Sequence, residues 1–377
     1  MAELLGIEIR GDQVLLTVVN RRAEPCAHLS EPLAETAGAW WLFHPDELLR
    51  GVRVALRRGV EEGVFRGEQI AGVGLVVEPG LVLLDPDLQA IPPRALPWQD
   101  VLEEGFSAPP VAALRLLLEN DPRLAGHVGA VLSTLDYLRF QMTGALATHL
   151  DFAWRSGLVI GPLAPESWDP GAIRDLGLAP GVFPPIFRAP SRVGALSEEM
   201  VRLSGMRRGT WVNAGSDPLS VRLLMAAEPR PGTRVALIEE SGDELWQAGP
   251  APEAWSAEAR PGILEEIWFH RTARRLNEPS GEFSTLLEGE GAVILDFRTP
   301  PDSSRWPLEL PGDVRVAGDA GQPSTGTALQ AGIGLGWWRD RRTLWRKRRP
   351  PVGYSRWRSR LGESPGPRPA GVAPAPS

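Results

Sequence analysis

The sequence predicts an α/β fold whose sheet is mixed, with helices set between hairpins and strands. Three observations carry this. Leu4 to Ile9 and Val14 to Val19 are β-rich runs on either side of "RGDQ", which reads as a hairpin with a polar turn. "GTWVNAGSDPLSVRLLMAA" reads as strand, glycine loop and helix. "TRVALIEESGDELWQAG" reads as a further strand pair.

The remaining elements follow in order. Pro45 to Arg58 is helical, with Leu48, Leu49, Val52 and Leu56 on one face. Ile70 to Val77 is a buried strand and Gly80 to Leu84 a second one. Val111 to Leu118 is a helix closed by "ENDPRL". Asp136 to Met142 forms the next helix, with Leu132 and Leu135 extending its apolar face. Thr143-Gly144 stops it, because glycine adopts the left-handed cap at little cost. After Gly249 proline, glycine and charge become frequent, and only Ala328 to Trp338 reads as an apolar helix. The final "GESPGPRPAGVAPAPS" is Pro-rich and is expected to be disordered.

Composition narrows the function classes. The chain has 377 residues, a prior of two domains or three, and its 43% hydrophobic content is enough for a real core. A net charge of -7 speaks against nonspecific nucleic-acid binding. The single cysteine, Cys26, allows no internal disulfide. "MAELLGIEIRGD" lacks a basic region followed by an apolar one, and no apolar run has the length of a membrane span. A cytoplasmic protein without membrane association is expected. The five histidines are scattered and there is no CxxC, so a protein-ligated zinc site is not expected. Neither a P-loop nor a dinucleotide fingerprint is present.

The order of segments resembles the FGGY family of carbohydrate kinases, nearest the xylulokinase type. The residues that carry the resemblance are "LLGIEIRGDQVLLTVVN", "GLVLLDPDLQAIPPRALPWQD", "GFSAPPVAALRLLLENDPRL", "LDYLRFQMTGALATHLDFAWRSGL", "GALSEEMVRLSGMRRGTWVNAGSDPLSVRLL", "HRTARRLNEPSGEF" and "STGTALQAGIGLGWWRD". The fourth is the most specific, since the family places a Thr-Asp-x-Ser-x-Ala segment there. The resemblance implies an actin-like ATPase (ribonuclease H-like) fold with a reduced second domain. The implied divisions are 1–244 (sugar side and catalytic base), 245–352 (nucleotide side) and 353–377 (helix end and tail). It also implies ATP-dependent phosphorylation of a pentulose, with ATP and Mg2+ and a small-molecule sugar as the partners. Whether a second copy or another protein joins the chain stays open.

Residue by residue, the resemblance puts Asp217 of "AGSDPLS" at the catalytic base. Locally, Asp before Pro also reads as a helix N-cap with a first-turn proline, and one residue can fill both roles. The family's first phosphate turn, Asp-x-Gly-Thr-Thr/Ser, falls on Glu8-Ile9-Arg10-Gly11-Asp12. Glu8 is placed as a metal-side carboxylate, and Arg10, Gly11 and Asp12 on the nucleotide. The second turn falls on Ile238 to Gly242, with Ser241 and Gly242 on the nucleotide. Glu239 and Glu240 there would repel a triphosphate by on the order of several kcal/mol per close contact, unless they turn outward or the register slips by one. Glu78, Trp98 and Asp100 fall on the sugar site, and a surface loop after Pro97 explains the last two equally well. Thr148 matches the family's Thr, but His149 replaces its Asp and reads as a loop residue bonded to backbone. Asp296-Phe297-Arg298 stands where the family has a glycine loop for adenosine, with Ser303, Ser304 and Trp306 echoing its end. The expected activity is therefore weak or absent. A sugar-binding or interaction protein on the same scaffold is the alternative. The basic run Arg339 to Arg349 reads as a solvated helix whose Trp side chains pack inward.

Overall fold

The computed structural model describes residues 1–33, 45–96, 110–162, 164–226, 231–238, 244–254, 256, 259–261, 267–274, 293–297, 315–317, 323–338, 344 and 352–353. The first sheet has six strands in the order β10-β11-β4-β1-β2-β3. These are β1 (Glu3–Arg10), β2 (Gln13–Val19), β3 (Pro25–Pro32), β4 (Ile70–Val77), β10 (Arg192–Ala195) and β11 (Trp211–Asn213). The N-terminal hairpin is antiparallel from Leu4↔Val19 to Arg10↔Gln13. Its turn needs a positive φ, which Gly11 supplies at +57°. β4 runs parallel to β1, so the sheet is mixed.

Helix α1 (Pro45–Glu61) covers this sheet with Leu48, Leu49, Val52 and Leu56, all buried against Leu16 and Val18. A three-stranded sheet, β6-β5-β7, joins β5 (Leu81–Leu84), β6 (Ala90–Leu96) and β7 (Ala130–Ser133). Helix α2 (Pro110–Asn120) packs its Leu114 and Leu118 with Leu81 and Leu83. Strands β8 (Thr148–His149) and β9 (Ile186–Phe187) form a short parallel pair. Helix α3 (Thr134–Thr143) precedes this pair, α4 (Leu150–Ser156) and α5 (Pro170–Asp175) lie between its strands, and α6 (Glu198–Ser204) and α7 (Pro218–Ala226) follow it.

A second sheet is built almost wholly from the later chain, in the order β14-β15-β13-β12-β16-β17-β18. It contains β12 (Arg234–Ile238), β13 (Glu244–Gly249), β14 (Ala259–Pro261), β15 (Trp268–Arg274), β16 (Val293–Phe297), β17 (Arg315–Ala317) and β18 (Val352–Gly353). Five of these strands lie beyond Gly249, where the sequence reading expected little regular structure. The short strands carry too few residues for a periodic signal, so pairing rather than pattern defines them.

The last described helix, α8 (Pro323–Gly334), returns to the first sheet. It lies on a floor of glycines. A Cβ at Gly6 would stand 1.7 Å from the Ser324 carbonyl oxygen, and one at Gly74 2.0 Å from that of Thr327. Gly6 and Gly74 are direct partners in the β1–β4 register, so the floor is continuous. Polar bonds fix the helix there: Thr17 Oγ1 to Ser324 Oγ at 2.8 Å, and Thr327 Oγ1 donating to the Leu75 carbonyl at 2.9 Å. Trp338, 2% exposed, closes the cluster with Leu4, Val19 and Leu329.

Two boundaries differ from the sequence reading. Leu132 lies in β7, not on the α3 face, because Ser133 is an extended N-cap whose side chain accepts from the Asp136 N–H. Helix α8 begins at Pro323 and ends at Gly334, so Trp337 and Trp338 lie in the turn beyond it. The expected stop of α3 is present, with Gly144 at φ +76°. The Pro-rich tail and nearly all of Arg339 to Arg349 lie outside the described residues.

Candidate functional site

The end of β1 brings two carboxyl groups to two backbone amides. Glu8 is 2% exposed, and its Oε2 accepts the Ser324 N–H at 3.0 Å. That N–H is one of the unpaired donors at the start of α8, the kind of group that receives anions. Glu78 follows β4, and its Oε2 accepts the Gly11 N–H at 3.2 Å. The first turn's amide is thus satisfied by the chain's own carboxyl. Burial raises the pKa of both acids, offset in part by Arg10 and Ser324 at Glu8 and by Gly11 and Arg10 at Glu78. Arg10 itself is exposed, with Nε 3.9 Å from Glu8 Oε1. Arg222, one turn into α7, exerts its charge on both acids.

Asp217 sits where the loop after β11 enters α7. Gly215 makes this loop possible: its φ is +79°, and a Cβ there would meet the Leu75 carbonyl at 2.7 Å. Asp217 Oδ1 accepts the Ser220 N–H at 2.8 Å, an N-cap bond, with Pro218 as the first helical residue. Its Oδ2 faces Arg155 Nη1 at 3.3 Å. Asp151 sits behind it: Oδ2 accepts the Asp217 N–H at 2.9 Å and Oδ1 the Ser220 hydroxyl at 3.0 Å. Two carboxyls therefore share one helix N-terminus, a favourable place for negative charge. Burial works against ionisation of Asp217, but Arg155 and Arg260 outweigh it and hold this carboxyl below the ordinary range. Burial and the neighbouring Asp217 push Asp151 up to about 7. Arg260 is brought down to about 10 by burial and by Arg155.

A second buried cluster stands beside the first. Asp136, fully buried, binds Arg139 Nη2 at 2.8 Å, His149 Nδ1 at 3.0 Å, the His149 N–H at 3.0 Å and the Ser133 hydroxyl at 2.7 Å. Arg139 also donates to the carbonyls of Ala214 and Ala147, tying α3 to the Asp217 loop. Burial opposes the charge on Asp136, yet His149 and Arg139 hold its pKa low. Burial likewise disfavours the His149 cation, and Asp136 overrides this and raises its pKa. His149, Arg155 and Asp217 line one cavity of about 10 Å³ with Val77, Pro79 and Phe152. That is the threshold for a single water.

The sequence-derived candidates thus divide. Glu8, Gly11 and Glu78 come together, and the residues flanking Glu78 line the cavity of Asp217. Glu78 faces the first turn, although the resemblance placed it on the sugar. Asp12 is exposed in the hairpin turn. Trp98, Asp100, Ser241, Gly242, Glu239 and Glu240 lie outside the described residues, as do Arg298, Ser303, Ser304 and Trp306. Asp296 and Phe297 belong to strand β16, parallel to β12. His149 is corrected: its ring is buried on a carboxylate, not bonded to backbone from a loop. Asp136, Arg139, Asp151 and Arg155 were missed. The signal was present for the last two, a carboxylate and a guanidinium four apart inside the apolar run "LDFAWRS". Asp151 also stands at the Ser of the family's Thr-Asp-x-Ser-x-Ala pattern.

The Asp151 pKa has a consequence for stability. Its folded value is above the ordinary 3.8, so its protonated form favours the fold. The contribution is full at low pH and lost as pH rises through about 7. His149 titrates with the same sign, since its folded pKa is also raised. Urea midpoints should therefore fall between about pH 5 and pH 8, and Asp151→Asn should flatten part of that fall. An unchanged slope in the variant would refute the assignment.

A model of the N-terminal domain of the FGGY family of carbohydrate kinases matches residues 101–221. The chain is 24% identical over 269 residues to xylulose kinase of Bacillus subtilis, covering 64% of this chain and 53% of that protein. It spans about half the length of the curated relatives it matches. The structure of a xylulose kinase from Lactobacillus acidophilus superposes with a TM-score of 0.74 at 12% identity, covering 97% of this chain and 99% of that one. A Plasmodium falciparum glycerol kinase superposes with a TM-score of 0.72 at 12% identity, with 97% and 98% covered. These neighbours have the actin-like ATPase fold, and this chain shares it.

Proposed function

Because this chain belongs to the FGGY family of carbohydrate kinases, we propose that it binds a pentulose such as xylulose beside Asp217 and phosphorylates it from ATP weakly or not at all. One observation carries the reading: the amides of Gly11 and Ser324, which flank the site, are filled by Glu78 and Glu8. A triphosphate at the first turn would have to displace one carboxyl and approach another. The same geometry disfavours Glu8 as a magnesium ligand, since Oε2 is engaged and Oε1 faces Arg10. Among the described residues no group of three acidic, His or Cys side chains could hold a metal ion. The resemblance assigns Asp217 the base position, but its N-cap bond and Arg155 favour a settled carboxylate over a ready proton acceptor.

Thermal-shift measurements with a panel of pentuloses and with magnesium-ATP test this. The sugar should raise the melting temperature in either case, and a chain that keeps some transfer should also respond, weakly, to magnesium-ATP. Any sugar-dependent ADP release should be lost in Asp217→Ala; release at the original rate would refute the assigned base. A second reading is a sugar-binding or interaction protein without transfer, which the filled amides equally favour; it predicts a response to sugar alone. Division of the chain at 244/245 into sugar and nucleotide sides remains part of the proposal. No helix among the described residues is long and apolar enough to cross a membrane.

A further inference from the structure

His149 has the geometry of an oriented hydrogen-bond acceptor. Its Nδ1 is held by Asp136 Oδ1 at 3.0 Å and lies 3.3 Å from Ser133 Oγ. Asp136 is itself fixed by Arg139, Ser133 and the His149 backbone, so the ring cannot readily turn. A carboxylate at Nδ1 keeps the proton there, leaving Nε2 with its lone pair in the neutral ring. Nε2 has no hydrogen bond to protein among the described residues, and the ring lines the cavity beside Asp217. Asp217 offers less: one oxygen caps α7 and the other faces Arg155. The cavity admits one water-sized group, the dimensions of a single hydroxyl.

We propose that His149 is a ligand-binding residue whose Nε2 accepts a hydrogen bond from one hydroxyl of the sugar, inserted into this cavity. The inference rests on the sugar-binding reading above and deepens it. The ligand class is a polyol or ketose with a hydroxyl free to enter, and a sugar without that hydroxyl is discriminated against. The acceptor exists only in the neutral imidazole. The charged and titratable groups around the ring are Asp136 and Arg139 from α3, Asp151 and Arg155 from α4, and Asp217 from the loop before α7. Binding should therefore strengthen as pH rises above the ordinary imidazole value of 6.5, because Asp136 keeps the ring charged for longer.

The test is calorimetric titration of the full chain with D-xylulose at a series of pH values, alongside His149→Gln. The intact chain should bind, more tightly at higher pH, and the variant should bind at least about tenfold more weakly with a flatter pH dependence, the remainder coming from Asp151. Ring-nitrogen NMR of the intact chain covers the case of a misfolded variant. The neutral His149 should carry its proton on Nδ1, and Nε2 should shift on adding sugar. Binding that is unaltered in His149→Gln, or a proton found on Nε2 with Nδ1 bare, overturns the role of His149 alone. If the intact chain binds no pentulose at any pH, the sugar reading and this inference fall together.

Discussion

Gly74→Val should be among the most damaging single substitutions in this protein, costing at least about 3 kcal/mol of stability. The reason is geometric. The new Cβ would lie 2.0 Å from the Thr327 carbonyl oxygen and 2.4 Å from its carbonyl carbon, both backbone atoms that cannot rotate away. Relief requires lifting α8 off the sheet. That would break the Thr327–Leu75 and Ser324–Glu8 bonds and open the Leu4, Leu329 and Trp338 cluster. Gly6→Ala should act in the same way through the Ser324 carbonyl. The control is Gly126→Ala, where no atom lies within 4 Å, and a change within about 0.5 kcal/mol is expected. Urea unfolding of the three variants checks this; a Gly74→Val midpoint close to that of the control would show that α8 does not rest on this floor.

Asp136→Ala should cost about 3 to 5 kcal/mol, because it leaves Arg139 buried without its counter-ion and His149 without the acceptor at Nδ1. Arg139 is 0% exposed, so water cannot substitute for the lost carboxylate without opening the core. The damage should reach the Asp217 loop as well, since Arg139 also holds the Ala214 carbonyl. Asp136→Asn keeps the shape and some hydrogen bonds and should cost less, while still lowering the His149 pKa. Thermal unfolding and His149 titration in the two variants separate the packing effect from the charge effect. Equal stability of Asp136→Ala and the intact chain would contradict the role given to this cluster.

Much of the first lobe was legible because its elements are long and periodic. The Leu48, Leu49, Val52 and Leu56 stripe, the Ile70 to Val77 run and the Gly144 stop each express a local rule that tertiary contacts do not override. The second sheet was not legible, because strands such as Arg315–Ala317 acquire their identity from neighbours far away in the chain. The site was readable through order rather than chemistry. Asp217 was proposed from its place before α7, and the N-cap bond it makes there is what the Asp-Pro pair announced. That Glu78 would reach the Gly11 amide, or that His149 would pair with Asp136 thirteen residues earlier, depends on how strands and helices meet. No local pattern encodes it. Arg139 illustrates the same point: on a helix it looks like one more solvated charge, yet it is wholly buried.

The most direct measurement is a magnesium-ATP titration of the intact chain and of Glu78→Ala, each with and without pentulose. With Glu78 filling the Gly11 amide and Glu8 the Ser324 amide, the intact chain should show no saturable nucleotide binding up to about millimolar concentration, and Glu78→Ala should gain at least about tenfold in affinity. Binding of magnesium-ATP to the intact chain at about micromolar affinity, unchanged by Glu78→Ala, would contradict the claim that these carboxyls stand where phosphate would rest.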